Sequence, residues 1–158
     1  MKKGIVAMIS TTVGVIAGMT VNSIITGKHL EETGKKVDKF KNYYNMLNQW
    51  LVLKQKSKSL VEYFEKNNYR KIAIYGMGEM GTRLCDELIG SEIKVAYAID
   101  KNAGNTYSDI AIIKPEDAED NVDVVVITAI FAVNEIEKDI SKYFTCPIIS
   151  LEDIVFDI

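Results

Sequence analysis

Histidine is all but missing from this chain: the one imidazole, His29, lies just past an N-terminal apolar stretch. The C-terminal part therefore has no imidazole for acid–base or triad chemistry. Cysteine is scarce as well, and Cys85 and Cys146 form neither a disulfide framework nor a C-x-x-C metal pair. Both read as small buried hydrophobes in a reducing compartment. Cationic charge is scarce in the C-terminal half: residues 70–158 hold 8 Lys/Arg against 17 Asp/Glu, whereas residues 1–69 hold 11 against 5. An acidic globular half repels nucleic-acid backbones, which argues against nucleic acid as a partner and leaves an anionic lipid surface as the electrostatic match for the basic half.

What the chain does have is a stretch at residues 71–81, Lys71-Ile72-Ala73-Ile74-Tyr75-Gly76-Met77-Gly78-Glu79-Met80-Gly81. An apolar, β-branched run ends in G-x-G-x-x-G, and Leu84 and Leu88 follow at helical spacing. The pattern predicts a strand, a tight turn and a helix. Gly76 then permits the sharp turn, Gly78 lets a phosphate approach the main chain, and Gly81 lets the helix pack closely on the strand. The unpaired N–H groups and positive dipole end of that helix make an anion site. A second strand over residues 93–99 ends at Asp100, 24 residues after Gly76, where an acid for a ribose 2′-hydroxyl belongs. A Walker A loop is excluded, because Gly81 is followed by Thr82-Arg83 and not by Lys-Ser/Thr. Tyr97 and Lys101 have the Y-x-x-x-K spacing of short-chain dehydrogenases but span a strand end, so the spacing reads as coincidence.

Ahead of this region, no residue from Gly4 to Gly27 is charged. As a helix, that run reaches roughly 36 Å, enough to cross a ~30 Å hydrocarbon core. It is longer than a signal-peptide core and no A-x-A-like cleavage site follows, so a retained transmembrane anchor over residues 1–27 is expected. Lys28, Lys35, Lys36, Lys39 and Lys41 outnumber Lys2 and Lys3, which places the C-terminal part in the cytoplasm as a single-pass protein. Ser10, Gly14, Gly18 and Asn22 share one face, a spacing that suits a helix pair. After a break expected at Gly34, Val37, Phe40, Tyr44, Leu47 and Leu51 form a heptad seam that decays at Lys54 and Lys58. This predicts a helix from about Val37 to Lys56 that either pairs with a second copy or lies on the globular domain, and Trp50, off the seam, points to the second. Ser59 and Glu62 fit a capping box for a short helix that ends at Asn67-Asn68. Residues 28–69 thus read as a helical juxtamembrane linker.

Beyond Asp100 come a loop, a short strand at 110–113, a brief helix opened by Pro115, and the most continuous apolar run, Val122 to Ile130. A helix is expected over 131–144, a last strand over 146–151 and a closing helical turn over 152–156. The alternation specifies an α/β domain at 70–158: a small doubly wound parallel sheet of about five strands.

Three loops meet beyond the strand ends of such a sheet, which makes Gly76, Met77, Gly78, Glu79, Met80, Gly81, Asp100, Lys101 and Thr128 the candidate binding residues. Glu79 opposes a bound phosphate. No metal ligands and no catalytic constellation are evident, and about 88 residues leave no room for a substrate domain, so binding is favoured over catalysis. Ile72 to Gly81, Tyr97-Ala98-Ile99-Asp100, Ile113-Lys114-Pro115-Glu116-Asp117 and Val122 to Thr128 resemble the small Rossmann-like domain attached to bacterial sugar acyltransferases and other surface-polysaccharide biosynthesis proteins. That resemblance implies a nucleotide-sugar ligand. It carries over only the turn glycines and Asp100, since no acyltransferase β-helix follows in this sequence and a membrane anchor precedes. The expected function is a membrane-anchored cytoplasmic domain that binds a nucleotide or nucleotide-sugar, or NAD(H), as an accessory to envelope polysaccharide biosynthesis. Alternatives are an NAD-dependent oxidoreductase or sugar epimerase, and an interaction scaffold without a ligand. A homodimer through Gly14, Gly18 and the helix from Val37 is a further expectation.

Overall fold

The structure, a computed structural model, describes residues 30–101, 103 and 110–158. The expected transmembrane segment, with Gly14 and Gly18, lies outside the described residues, as does His29. Among the described residues no helix is long and apolar enough to cross a membrane. The chain divides between Lys41 and Asn42, and the second unit, Asn42–Ile158, carries the whole sheet.

Residues 30–55 form α1, which runs through Gly34 without the expected break. In the first unit its described residues are exposed, and Glu31 and Lys35 pair one turn apart at 2.7 Å. Then follow α2 (Val61–Lys66), β1 (Lys71–Tyr75), α3 (Glu79–Leu88), β2 (Lys94–Ile99), β3 (Ile112–Ile113), a 3-10 turn at Pro115–Asp117, β4 (Val124–Ile127), a second 3-10 turn at Ile130–Ala132, α4 (Val133–Ile140), β5 (Ile148–Ser150) and α5 (Leu151–Asp157). The five strands are all parallel in the order β3-β2-β1-β4-β5. The chain works outward from β1 in one direction and then returns to its other side, so β1 and β4 flank the point where the strand order reverses.

Pleating divides the core in two. Ile72, Ile74, Val124 and Val126 face a layer formed by Met46, Trp50 and Leu53 of α1, Phe64 of α2, Leu84 and Leu88 of α3, and Ile154 of α5. Ala73, Tyr75, Val125 and Ile127 face the opposite layer with Ile136 and Ile140 of α4. Strands buried on both faces are expected at the centre of a parallel sheet. Because α1 and α2 supply core side chains, the compact unit begins near Asn42 and takes in residues that read as linker from the sequence. The Val37, Phe40, Tyr44, Leu47 and Leu51 seam is exposed, and the buried face of α1 is a second stripe, Met46, Trp50 and Leu53.

The central strand is shorter than its apolar run. At its start, Asp123 turns its carboxylate to the Arg70 and Lys71 N–H groups, both at 2.7 Å. At its end, the Thr128 N–H makes a last main-chain bond to Tyr75 O while its hydroxyl bonds the turn after β1. The capping box is present in one arm, with Ser59 N–H donating to Glu62 at 3.1 Å. The Ser59 hydroxyl accepts from the Val61 N–H at 3.3 Å and donates its proton to Glu87 of α3, which also accepts from Lys54 and from the Leu60 N–H. Glu87 thereby ties α1, α2 and α3 together.

Candidate functional site

β1 stops at Tyr75 because Gly76 takes φ +95°, a left-handed conformation that strains any side-chain-bearing residue. Its N–H still donates to Ile99 O at 2.8 Å, so the turn leaves the sheet only after a last bond to β2. Gly78 is the N-cap of α3, with φ −87° and ψ −159°, and a Cβ built there meets nothing within 4 Å. Gly81 is the opposite case: a Cβ would lie 2.4 Å from Gly76 O, so bare main chain is what allows α3 to start this close to β1. The three glycines thus have three different environments: a positive φ at Gly76, open space at Gly78 and a close main-chain approach at Gly81. No side chain caps α3 at its N-terminus, which leaves the first-turn N–H groups beside the open side of Gly78.

Of the remaining sequence candidates, Met77 has its side chain in the protein, 8% exposed, and its N–H donates to Asp100 Oδ2 at 3.3 Å. Asp100, half-buried at the end of β2, is therefore brought to the glycine turn. Its own N–H donates to Ile113 O, which ties β3 to the same corner. Lys101 turns elsewhere: its ammonium pairs with Asp139 of α4 at 3.2 Å, and that bond raises its pKa. Thr128 is 3% exposed, and its hydroxyl donates to Gly76 O at 2.6 Å, with Tyr75 O also within 3.2 Å. With its one proton used on the main chain, Thr128 holds the turn in place. Glu79 is exposed at the first position of α3, and Met80 is half-buried against the α3 layer.

Several neighbours of the site were not legible in advance. Tyr43 of α1 stands edge-to-face on Phe131, with ring centres 5.9 Å apart, and Phe131 belongs to the loop after β4. Burial pushes the Tyr43 phenol up and the negative charge of Glu79 adds to it, so helix α1 borders the glycine turn. The signal that could have found Tyr43 is its place on the stripe 43, 46, 50, 53, which has the same 3,4 spacing as the exposed seam. Tyr75 is 5% exposed, yet its buried hydroxyl has no hydrogen-bond partner among the described residues. Cys85 and Cys146 are free thiols, half-buried, and burial pushes both up, away from reactive thiolate chemistry. Among the described residues no group of three or more His, Cys, Asp or Glu could hold a metal ion.

A five-stranded parallel sheet with helices on both faces and a glycine turn at its switch point defines an α/β domain arranged as in the Rossmann-like class. The model of the family described as C2185-like, N-terminal, matches residues 68–146, half of the chain, and the chain belongs to that family. No curated protein and no solved structure matches it.

Proposed function

We propose that the unit Asn42–Ile158 binds a nucleotide or nucleotide-sugar, with the diphosphate on the glycine turn and the ribose beside Asp100. The observation that carries this reading is the contrast among the glycines: Gly78 is open and adjoins an uncapped helix start, while at Gly81 a Cβ would come within 2.4 Å of Gly76 O, so only a glycine permits that close start of α3. Main-chain N–H groups at a helix start favour an anion without any lysine in the turn. Following the resemblance to the Rossmann-like domains of surface-polysaccharide proteins, the binding serves envelope polysaccharide biosynthesis in an accessory role. The uncharged run from Gly4 to Gly27 anchors the chain as a single-pass membrane protein with this domain in the cytoplasm. The test is a thermal-shift panel of NAD, UDP-sugars and CDP-sugars on the full chain in detergent, repeated with Asp100→Ala. A ligand that stabilises the parent by several degrees and the variant much less supports the ribose role, and equal shifts remove it. No response to any nucleotide favours the scaffold reading, and cofactor-dependent turnover of a nucleotide-sugar favours the enzyme.

The exposed seam supports a homodimer. Val37, Phe40, Tyr44, Leu47 and Leu51 are between 40% and 71% exposed, and their 3,4 repeat is self-complementary in a parallel pair. In the sequence this seam follows Gly14 and Gly18, a spacing suited to the same pairing. Sedimentation of the full chain in detergent should give a dimer that Phe40→Glu with Leu47→Glu converts to monomer; a parent monomer would refute it.

A further inference from the structure

On the α4 side of the sheet lies a hollow of about 380 Å³, lined among others by Tyr75, Lys101, Lys138, Asp139, Lys142 and Tyr143. Three of the eight cationic side chains in residues 70–158 line it, in a segment with 17 acidic ones. The Lys101 ammonium is 3.2 Å from Asp139, and Lys142 lies 4.7 Å from the centre of the Tyr143 ring. Tyr75 brings a different kind of group. It is 5% exposed and belongs to the core layer shared with α4, and its hydroxyl is buried without a partner among the described residues. Buried hydroxyls are seldom left unpaired, so an O–H without a partner among the described residues, on a side chain that lines a lysine-bearing hollow, is a donor in reserve for a ligand seated there. By contrast, the larger hollow of about 750 Å³ at the amino ends of β1 and β2 has Glu65 and Glu92 among its three cationic residues and no unpartnered buried group.

We propose that the hollow beside Tyr75 is a second anion site that takes a phosphate group, as inorganic phosphate or as the terminal phosphate of a small monoester. The Tyr75 hydroxyl donates to one phosphate oxygen, and Lys101, Lys138 and Lys142 surround the others. Three ammonium groups line the hollow with one carboxylate, Asp139, while the charges of Asp100 and Glu135 also reach Tyr75 and Lys101, respectively, so the ligand that fits best is an anion with enough acceptor oxygens to engage several ammonium groups at once. Phosphate has the acceptor oxygens to engage a phenol and several ammonium groups together. The volume exceeds that of phosphate alone and leaves room for a small esterified group. The site is separate from the glycine turn, because Tyr75 packs in the layer of α4 while the turn leads into α3 on the other face. It stands whether or not a nucleotide binds there.

The experiment is a phosphorus NMR titration of inorganic phosphate, and separately of glycerol 3-phosphate, with the full chain in a phosphate-free non-ionic detergent at constant ionic strength. The parent is expected to shift or broaden the resonance saturably. Tyr75→Phe, which keeps the ring, should weaken binding about tenfold or more, as expected for a lost hydrogen bond to a charged group. Lys138→Gln with Lys142→Gln should weaken it at least as much, and Gly78→Ala should leave it unchanged. Saturation by inorganic phosphate marks a free-phosphate site, and saturation by glycerol 3-phosphate alone marks a monoester site. Melting curves supply the folding control: Tyr75→Phe, freed of an unpaired hydroxyl, should melt no lower than the parent and lose the parent's stabilisation by phosphate. The proposal is overturned if neither probe saturates, if Tyr75→Phe binds as the parent does, if sodium acetate competes as well as phosphate, or if Gly78→Ala alone abolishes the signal.

Discussion

Two alanine substitutions in the glycine turn should have opposite consequences. In Gly81→Ala the new Cβ would sit 2.4 Å from Gly76 O, where real Cβ atoms keep at least 3.0 Å, so α3 and the turn must separate by 0.6 Å or more. The obstacle is a main-chain oxygen already held by the Thr128 hydroxyl at 2.6 Å, so it cannot swing aside as a side chain would. Over-packing of this kind costs about 1–3 kcal/mol. The gain in helix propensity from Gly to Ala offsets at most about 1 kcal/mol. A net loss of about 1 kcal/mol, mid-range for these two effects, should lower the melting temperature by about 4–8 °C in a domain of about 100 residues. In Gly78→Ala the added methyl meets nothing and the φ is ordinary for alanine. Loss of a glycine N-cap and the smaller unfolded-state entropy nearly cancel, leaving about 0.5 kcal/mol either way. That methyl nonetheless occupies the face a phosphate must approach, so the affinity for a stabilising nucleotide should fall tenfold or more, about 1.4 kcal/mol. The assay is a melt of the full chain and both variants in detergent, without ligand and across a nucleotide series. A Gly81→Ala melt at or above the parent would refute the close approach. A Gly78→Ala protein that binds like the parent would refute the phosphate contact.

Further outcomes follow from other contacts. Burial alone would raise the Glu87 carboxyl, but the bonds from Lys54, Ser59 and the Leu60 N–H together hold it below its ordinary value of 4.5. Its contribution is therefore complete above that value and is lost as pH falls through the lower folded pKa. Glu87→Gln should cost about 1–2 kcal/mol at pH 7, a gap that closes in denaturant titrations at lower pH; a pH-independent gap would remove the charge from the explanation. Thr128→Val takes the donor from Gly76 O and should cost about 0.5–1.5 kcal/mol in the absence of ligand, read as a lower denaturation midpoint; no change would show that the hydroxyl does not hold the turn. Trp50→Ala should cost about 3–5 kcal/mol, whereas a helix that served only as a linker would leave the sheet's unfolding unaffected. Glu79→Gln should lower stability by about 0.3–1 kcal/mol through the lost charge at a helix start while tightening nucleotide binding at low salt, and a difference that survives high salt would contradict an electrostatic cause.

The sequence exposes the glycine turn well because each of its constraints is local. The strand's alternation, the φ > 0 requirement at Gly76 and the periodicity of Leu84 and Leu88 all lie within one short window. Asp100 is also legible, since two parallel strands joined by one helix put the end of the second beside the end of the first. Helix α1 is harder to read, because two stripes of equal spacing run side by side along it. The more regular stripe, Val37 to Leu51, is the exposed one, and the core takes Met46, Trp50 and Leu53. Burial there depends on the shape of the sheet layer, and Trp50 alone hinted at it. The limits of β4 were hidden for another reason. Asp123 and Thr128 end the ladder through bonds to residues more than 50 positions away, and an apolar run from 122 to 130 has no mark of them. The unpaired hydroxyl of Tyr75 is likewise a tertiary fact, for in sequence it is one more aromatic residue in a strand.

Both proposed anion sites are placed by one strand end, and the pleat explains how. Alternation sends the Tyr75 side chain into the α4 layer. The next residue, freed by its positive φ, turns the main chain toward α3 on the other face. One side offers a phenol and three lysines, the other offers main-chain N–H groups and a helix dipole, so the two proposed sites would recognise anions by different chemistry. This division suits a domain with an excess of acidic residues. Its overall field discourages anions, and only a place with locally arranged donors can hold one, whether those donors are fixed backbone or clustered ammonium groups. Glu79 belongs to the same balance: a carboxylate at the start of α3 stabilises the empty helix and must be outweighed by an incoming phosphate. If the turn binds a nucleotide as proposed, selection would fall to ligands that add further contacts at the Asp100 corner.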